Sequence, residues 1–434
     1  MLALLALAGC GSVQPLRESF RATTPHERYA ESLREAGLEG TALGRDWNAA
    51  AERALDAPHP APLPFREAGY FPAEEPHAVG YRFRAARGQR FTAQVELEGA
   101  APPRVFLDLF EVPQDTARPP TRVMSADTTS LTLTWEPRQD TEYLLRLQPE
   151  LLRAGRYAVT IRSQAALAFP VDGRDSRAIG SRFGAARDGG RREHHGVDIF
   201  APRGTPVLAS AAGTVTRVDE TPRGGRVVWV RDSERGLSLY YAHLDSQAVQ
   251  PGARVQPGDT LGTVGNTGNA RTTPPHLHFG IYRRGEGPLD PYPYVHPVRS
   301  PLPPPAADTA GLGRWARVAA RETPLLSQPA QGTATARVLP RHTLLRPMGT
   351  SGSWHRVLLP DGTSGYVAIR SVEPVSRPIR RTTVATGVAL RDGPMPAAAM
   401  IDTLRAGTSV TVLARFADFL LVEGTGGRQG WITE

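Results

Sequence analysis

Short runs of alternating apolar and polar residues, separated by glycine and proline, constrain the fold of this 434-residue chain more than any other feature. Alternation places every second side chain on the same face of an extended strand. The 43 glycines and 40 prolines favour turns between short elements. The pattern therefore predicts a mainly β protein. Its length, well beyond the ~100–200 residues of a common domain, predicts several domains.

One group of alternating runs lies between residues 75 and 165 and predicts a β-sandwich domain. The runs cover residues 81–83, 91–97, 105–109, 131–135, 143–147 and 157–161. The Gly155-Arg156-Tyr157 sequence before the last run loosely resembles the jelly-roll domains that accompany secreted peptidases. Upstream, apolar residues spaced by three and four predict a short helical segment within residues 17–60, with one or two helices between His26 and Leu55.

An internal repeat follows a proline-rich linker, which we assign to residues 299–312. Leu325, Trp354 and Tyr366 recur 65 positions later as Leu390, Phe419 and Trp431. This offset predicts two copies of one small β unit, at residues 313–375 and 378–434. The second copy resembles bacterial SH3-like domains, so we expect two small SH3-like barrels. The resemblance implies binding to cell-wall peptides, although such units also serve as spacers.

The segment Leu7-Ala8-Gly9-Cys10 resembles the lipobox at which a bacterial signal peptidase cuts. The apolar run before Cys10 is much shorter than the ~18 residues of a membrane span. We therefore expect residues 1–9 to be a signal peptide and Cys10 to carry a lipid. A lipid-anchored protein of the cell envelope follows, placed in the outer membrane where the host has two membranes.

Histidines cluster near the middle of the chain. Five of the 11 histidines fall between positions 194 and 278. In the sequence His276-Leu277-His278-Phe279, alternation turns both imidazoles to one face of a strand and the apolar residues to the other. A lone pair of this kind could simply hydrogen-bond within a sheet. Together with the remaining histidines, it indicates a metal site.

His194 and Asp198 are four positions apart, so an extended segment places the imidazole and the carboxylate on the same side. His195 lies between them in the opposite orientation. We therefore expect His195 not to bind a metal that His194 and Asp198 share.

Residues 179–294 resemble the lysostaphin or LytM type of zinc endopeptidase. The resemblance rests on seven motifs in order: Ser181-Arg182-Phe183-Gly184, His194-His195-Gly196-Val197-Asp198, Gly204-Thr205-Pro206-Val207, Gly213-Thr214-Val215, Tyr241-Ala242-His243-Leu244, Gly262-Thr263-Val264-Gly265 and His276-Leu277-His278-Phe279. It implies a compact β catalytic domain, assigned to residues 170–298, with a groove across one sheet.

The same resemblance implies a role for each matching residue. His194, Asp198 and His278 would bind Zn²⁺ and leave a fourth position for water, as in catalytic zinc sites. His243 and His276 would act beside the metal as general base or as donors to the developing oxyanion. The chain departs from the family pattern at residues 269–275, which replace a glycine-rich approach, and at Gly280, where an acidic residue is usual.

The resemblance implies a peptidoglycan endopeptidase that cuts crosslinks or stem peptides, either at D-amino acid linkages or at glycine bridges. A non-enzymatic envelope protein of the same fold, which activates another hydrolase, is the alternative. Two histidines and one carboxylate also form the iron site of non-haem oxygenases. The net charge of +8 suits an acidic partner such as nucleic acid, a membrane surface or a cell-wall polymer. We expect peptidoglycan and the membrane as partners and no nucleic acid, and the oligomeric state stays open.

Overall fold

The computed structural model describes residues 23–115, 117–297, 300–304, 309–424 and 426–434. Cys10 and the predicted signal peptide lie outside these ranges. The prediction of a mainly β protein is confirmed, because the described ranges contain 34 strands and three α-helices. None of the described helices has the length and apolar character needed to cross a membrane.

Two helices, α1 (Pro25–Glu35) and α2 (Ala42–Asp56), lie where the sequence predicts one or two. Thr24 begins α1 with a capping box, in which its side chain and that of Glu27 each accept a hydrogen bond from the other residue's backbone N–H. Trp47 of α2 is buried against Phe106 and donates its Nε1–H to a backbone carbonyl of the sandwich at 3.0 Å. The helices therefore cover an outer face of the sandwich.

The sandwich consists of nine strands in two layers. They are β1 (His59–Pro60), β2 (Phe65–Phe71), β3 (Val79–Ala85), β4 (Gln89–Glu98), β5 (Val105–Val112), β6 (Thr121–Ser125), β7 (Thr132–Trp135), β8 (Thr141–Pro149) and β9 (Gly155–Ala165). One layer has the order β1-β3-β8-β5-β6 and the other the order β2-β9-β4-β7. Apolar side chains of both layers share one core.

The sandwich begins before residue 75, because β1 and β2 belong to it. The sequence did not predict β2, since its four inward positions are Phe65, Glu67, Gly69 and Phe71. Glu67 is inward because it forms a buried ion pair. Gly69 leaves room for the ring of Tyr157, which would lie 2.1 Å from a Cβ at that position.

The next part of the chain contains β10 (Ile179–Ser181), β11 (Ala186–Arg187), β12 (Arg192–Glu193), β13 (Val197–Phe200), β14 (Pro206–Leu208), β15 (Gly213–Thr221), β16 (Gly225–Asp232), β17 (Leu237–Gln247), β18 (Arg254–Val255), β19 (Thr260–Val264), β20 (His276–Arg283), β21 (Gly287–Leu289) and α3 (Tyr292–Val295). Its main sheet has the order β10-β13-β20-β17-β16-β15-β18. Val197, Tyr241, Leu277 and Phe279 pack into a core on one face of this sheet. The other face is left for polar groups.

The two repeat units have matching strands. The first contains β22 (Ala316–Val318), β23 (Glu322–Leu326), β24 (Thr335–Pro340), β25 (Leu344–Ser351), β26 (Trp354–Leu358), β27 (Ser364–Ala368) and β28 (Val372–Pro374). The second contains β29 (Arg380–Thr383), β30 (Val388–Arg391), β31 (Met400–Leu404), β32 (Ser409–Phe416), β33 (Phe419–Glu423) and β34 (Gln429–Thr433).

The repeat predicted from the sequence is confirmed by strand pairing. The order β24-β23-β27-β26-β25 in the first unit recurs as β31-β30-β34-β33-β32 in the second. Even the register repeats, because Leu326 pairs with Tyr366 and Arg391 pairs with Trp431, 65 positions later. The two units share one apolar cluster, which includes Trp431. Their resemblance to SH3-like domains stays a prediction.

The first repeat unit continues the sheet of the sandwich and is not a free-standing barrel. Strand β25 pairs with β2 through Ala68–Thr350 and Gly69–Gly349. Beneath this junction the Arg356 guanidinium binds Glu67, with Nη2–Oε1 at 2.9 Å and Nε–Oε1 at 3.0 Å. The Arg356 side chain is 3% exposed and the Glu67 side chain is fully buried. Strand pairing and a buried ion pair therefore join the two units.

We expect Arg356→Ala to lower the free energy of unfolding by about 3–5 kcal/mol, because it leaves the Glu67 carboxylate buried without an oppositely charged partner. Urea denaturation followed by tryptophan fluorescence measures this change. The matched control is Arg337→Ala, which breaks a more exposed ion pair with Asp361 and should cost about 0–1 kcal/mol. Equal effects of the two variants would contradict the role of the buried pair.

Candidate metal centre

Antiparallel pairing of β13, β20 and β17 creates the site. Asp198 on β13 lies directly opposite His278 on β20, and His278 lies opposite Ala242 on β17. Leu277 and Phe279 are fully buried on the core face. Both imidazoles of β20 therefore emerge on the other face, as alternation predicted.

Three side-chain atoms meet at this place. His194 Nε2 lies 3.0 Å from Asp198 Oδ1, and His278 Nδ1 lies 3.0 Å from the same oxygen. The two ring nitrogens are also 3.0 Å apart. Among the described residues these three side chains form the one group of histidine, cysteine or acidic residues with a geometry that could hold a metal. The structure brings together the residues that the sequence proposed as ligands.

Hydrogen bonding indicates that this triangle suits a cation. His194 Nδ1 lies 2.8 Å from the backbone oxygen of Arg182, an acceptor, so Nδ1 carries the proton and Nε2 of the neutral ring has a lone pair. That lone pair points towards Asp198 Oδ1 and His278 Nδ1. When both rings are neutral, at most one proton, on His278 Nδ1, lies among the three atoms. One proton cannot form hydrogen bonds across all three contacts of 3.0 Å. Ligand atoms in tetrahedral zinc sites are about 3.3–3.4 Å apart, so the donor set fits zinc.

The protonation states also suit a metal. Burial opposes ionisation of Asp198, but the close contacts with the His194 and His278 imidazoles outweigh it and hold the pKa of the carboxyl well below its usual range. Burial lowers the pKa of His278. At neutral pH the carboxylate is therefore charged and the His278 ring is neutral, as metal ligands must be.

A neighbouring arginine orients the carboxylate. Arg187, at the end of β11, donates from Nη2 to Asp198 Oδ2 at 2.7 Å and to Ser181 Oγ at 2.6 Å. Oδ1 of Asp198 is thereby left to face the two imidazoles. The sequence analysis did not identify Arg187, because it lies in a two-residue strand with no periodic pattern.

His243 and His276 stand beside the three candidate ligands. Their rings are 5.1 Å apart, and the His243 ring is 5.9 Å from that of His278. His276 Nε2 is 3.9 Å from Asp198 Oδ1. Burial, with the nearby His276 and His278, lowers the pKa of His243 to about 4. The structure thus places both predicted catalytic histidines within the same cluster.

The backbone at His243 is in the left-handed region, with φ of +63°. This conformation is uncommon for residues other than glycine and often occurs at functional sites. Its N–H donates to Gly224 O at 2.8 Å, and its ring Nδ1 lies 2.9 Å from Thr267 O. Two loops therefore hold the residue in a conformation that directs its ring to the site.

Gly196 is required by close packing against His278. A Cβ at position 196 would lie 2.7 Å from His278 Cε1 and 2.6 Å from Phe279 O. Any side chain here would displace the His278 ring. His195, by contrast, is exposed at the rim of the cavity and outside the group of ligands.

The site opens into a cavity of about 670 Å³. One side is formed by Trp229, Tyr240 and Tyr282, whose rings contact one another. The lining also includes Asn269 and Pro274 from the segment that departs from the family pattern. The altered segment therefore shapes the entrance to the candidate metal centre.

Comparison with known proteins finds similarity to one family in this part of the chain. Residues 192–291 match the model of peptidase family M23. The chain is 38% identical over 139 residues to the L-Ala–D-Glu endopeptidase of Bacillus subtilis (strain 168), covering 30% of this chain and 42% of that relative. It is 38% identical over 115 residues to the peptidoglycan DD-endopeptidase ShyC of Vibrio cholerae, covering 26% of each.

A third relative is the uncharacterized lipoprotein YgeR of Escherichia coli (strain K12), 39% identical over 114 residues that cover 26% of this chain and 42% of YgeR. The chain thus spans less than half the length of these relatives. The matches confirm the family resemblance for the segment that carries the motifs.

We expect His194→Ala, Asp198→Ala and His278→Ala each to lose most bound zinc, because three protein ligands leave no redundancy. Elemental analysis of the purified, dialysed variants measures the metal content. His195→Ala is the control and should keep zinc at the wild-type level. Loss of zinc from His195→Ala with retention in His194→Ala would mean that the ligand assignment is off by one residue.

Proposed function

We propose that this chain, whose residues 192–291 match the model of peptidase family M23, is a zinc endopeptidase that hydrolyses peptide bonds of bacterial peptidoglycan. The observation that carries the proposal is the convergence of His194 Nε2, His278 Nδ1 and Asp198 Oδ1. The substrate is supported by two relatives whose names describe peptidoglycan DD-endopeptidase and L-Ala–D-Glu endopeptidase activity.

Zinc held by His194, Asp198 and His278 would polarise the scissile carbonyl and lower the pKa of a water molecule to about 7. Arg187 would keep the Asp198 carboxylate oriented, with Oδ2 engaged and Oδ1 available. The carbonyl of Arg182 would keep the His194 ring in the tautomer that offers Nε2. These residues would hold the metal or orient its ligands. Proton transfer would fall to other groups.

His243 and His276 are suited to proton transfer. Each Nδ1 lies 2.9 Å from a backbone carbonyl, that of Thr267 or Pro274, so each neutral ring presents an unprotonated Nε2. One ring would take a proton from the attacking water and pass it to the leaving amine. The other, when protonated, would donate a hydrogen bond to the developing oxyanion.

The experiment that tests the function is digestion of purified peptidoglycans of known crosslink chemistry, with the released fragments identified by mass. The alternative, a non-enzymatic activator, predicts no fragments from the zinc-loaded protein alone. An oxygenase predicts iron in the purified protein and no hydrolysis. The retention of all three ligands together with His243 and His276 supports the endopeptidase.

We expect His243→Ala and His276→Ala to keep zinc near the wild-type level while losing about 10²- to 10⁴-fold in rate, because acid-base and oxyanion help is worth that much. Fragment release measures the rate, and elemental analysis measures the metal. His195→Ala should retain most activity. Wild-type turnover in His243→Ala or in His276→Ala would show that the replaced histidine has no catalytic role.

We also propose that Cys10 carries a lipid that anchors the protein in the cell envelope. The Leu7-Ala8-Gly9-Cys10 motif supports this, as does the similarity to YgeR, which is named a lipoprotein. Labelled palmitate should be incorporated by the wild-type protein in bacterial cells and not by Cys10→Ser. Equal incorporation would place the lipid elsewhere.

A further inference from the structure

We infer that the groove binds a peptide with a free carboxylate close to the scissile bond, and that Arg223 is the residue that recognises this carboxylate. The inference rests on the proposed function and names its substrate class more closely. It favours the carboxylate-bearing stem peptide over an uncharged glycine bridge, two substrates that the sequence left open.

The first support is the charge of the cavity. Its described lining includes three arginines, Arg187, Arg192 and Arg223, and a single carboxylate, that of Asp198. Asp198 is already committed to Arg187 and to the two candidate ligand histidines. With Arg187 and Asp198 paired, Arg223 leaves the lining with an excess of positive charge, which a bound divalent cation would increase. Such a cavity favours an anionic substrate.

Arg223 differs from Arg187 in being available. The Arg187 guanidinium already donates hydrogen bonds to Asp198 and Ser181. Arg223 is exposed, and among the described residues its guanidinium forms no ion pair and no hydrogen bond. A guanidinium can bind a carboxylate through two parallel hydrogen bonds, so an available arginine at the rim is well suited to this anion.

The backbone that carries Arg223 is fixed on both sides. Its carbonyl accepts a hydrogen bond from Asn269 at 3.1 Å, and the next carbonyl, that of Gly224, accepts one from His243 at 2.8 Å. Thr221 Oγ1 accepts a further bond from Gly224 N at 3.0 Å. The turn that presents Arg223 is thus the same turn that holds the backbone of His243. The guanidinium and the proposed catalytic imidazole share one support.

The aromatic side of the groove connects this turn with the metal centre. The Tyr240 ring lies 5.8 Å from that of His278, and its hydroxyl packs so closely under Gly224 that a Cβ there would be 2.1 Å away. Trp229 and Tyr282 extend the same surface. Arg223, these rings and the candidate ligands line the same cavity, so a peptide lying on the rings would pass both the metal centre and Arg223.

Gly280 keeps this path open. It lies opposite Tyr240 on the neighbouring strand. A Cβ at position 280 would be 3.0 Å from the Tyr282 ring and 3.2 Å from His195 O. A side chain at position 280 would therefore narrow the path beside the aromatic rings.

The test compares two soluble peptides that differ only in one group, a free carboxylate or its carboxamide, next to the scissile bond. We expect the zinc-loaded wild-type protein to cleave the carboxylate peptide with at least tenfold higher kcat/KM. Arg223→Gln should lower that value at least tenfold and so remove most of the difference between the carboxylate peptide and the carboxamide peptide. Arg223→Lys should restore part of the preference.

The matched control is Arg254→Gln, which removes an exposed arginine on β18 outside the cavity and should keep the full preference. A second measurement uses metal-free protein and the fluorescently labelled carboxylate peptide, with binding followed by anisotropy. Arg223→Gln should weaken binding at least tenfold and reduce its dependence on salt. This measurement does not require turnover.

Equal cleavage of the two peptides by the wild-type protein, or an unchanged preference in Arg223→Gln, would overturn the inference and leave the proposed function in place. Cleavage of polyglycine in preference to the carboxylate peptide would do the same. If the zinc-loaded protein cleaved no peptide and released nothing from peptidoglycan, the proposed function would fall. The anisotropy measurement would still decide whether Arg223 binds the carboxylate.

Discussion

The candidate metal centre depends on one constraint, the register of β20 between β13 and β17. Leu277 and Phe279 are completely buried in the core, and this burial determines which face of β20 is polar. A slip of one residue would place two imidazoles in an apolar core and two large apolar side chains in the cavity. Burial of hydrocarbon therefore sets the position of His278 opposite Asp198, before any metal contributes.

Backbone carbonyls outside the regular strands complete the arrangement. The oxygens of Arg182, Thr267 and Pro274 each bind the Nδ1 of one histidine and so select its tautomer. The loops that supply these oxygens have to adopt defined conformations. The left-handed backbone of His243 is maintained by bonds to two such loops. The loops therefore position the histidines of the site as much as the sheet does.

The flanking domains contact one another and the domain that carries the candidate metal centre. The Glu67–Arg356 ion pair and the pairing of β2 with β25 connect the sandwich and the first repeat unit. Arg235, in the domain that carries the candidate metal centre, binds Glu136 of the sandwich through two hydrogen bonds, at 2.8 and 2.9 Å. A truncation that removes the repeats would expose the carboxylate of Glu67. A change in cell-wall binding by the truncated protein could then result from lower stability as well as from loss of the repeats.

The sequence by itself determined the features that rest on local periodicity or direct repetition: the mainly β fold, the common face of His276 and His278, and the 65-residue repeat. It also pointed to the ligands through motif resemblance. Only the tertiary structure decided that Glu67 faces inward, that Arg187 orients Asp198, and that Gly196 packs against His278. The physical reason is that each of these depends on a partner distant in the chain. Alternation reports which face a side chain occupies, and it carries no information about what another strand or loop places there.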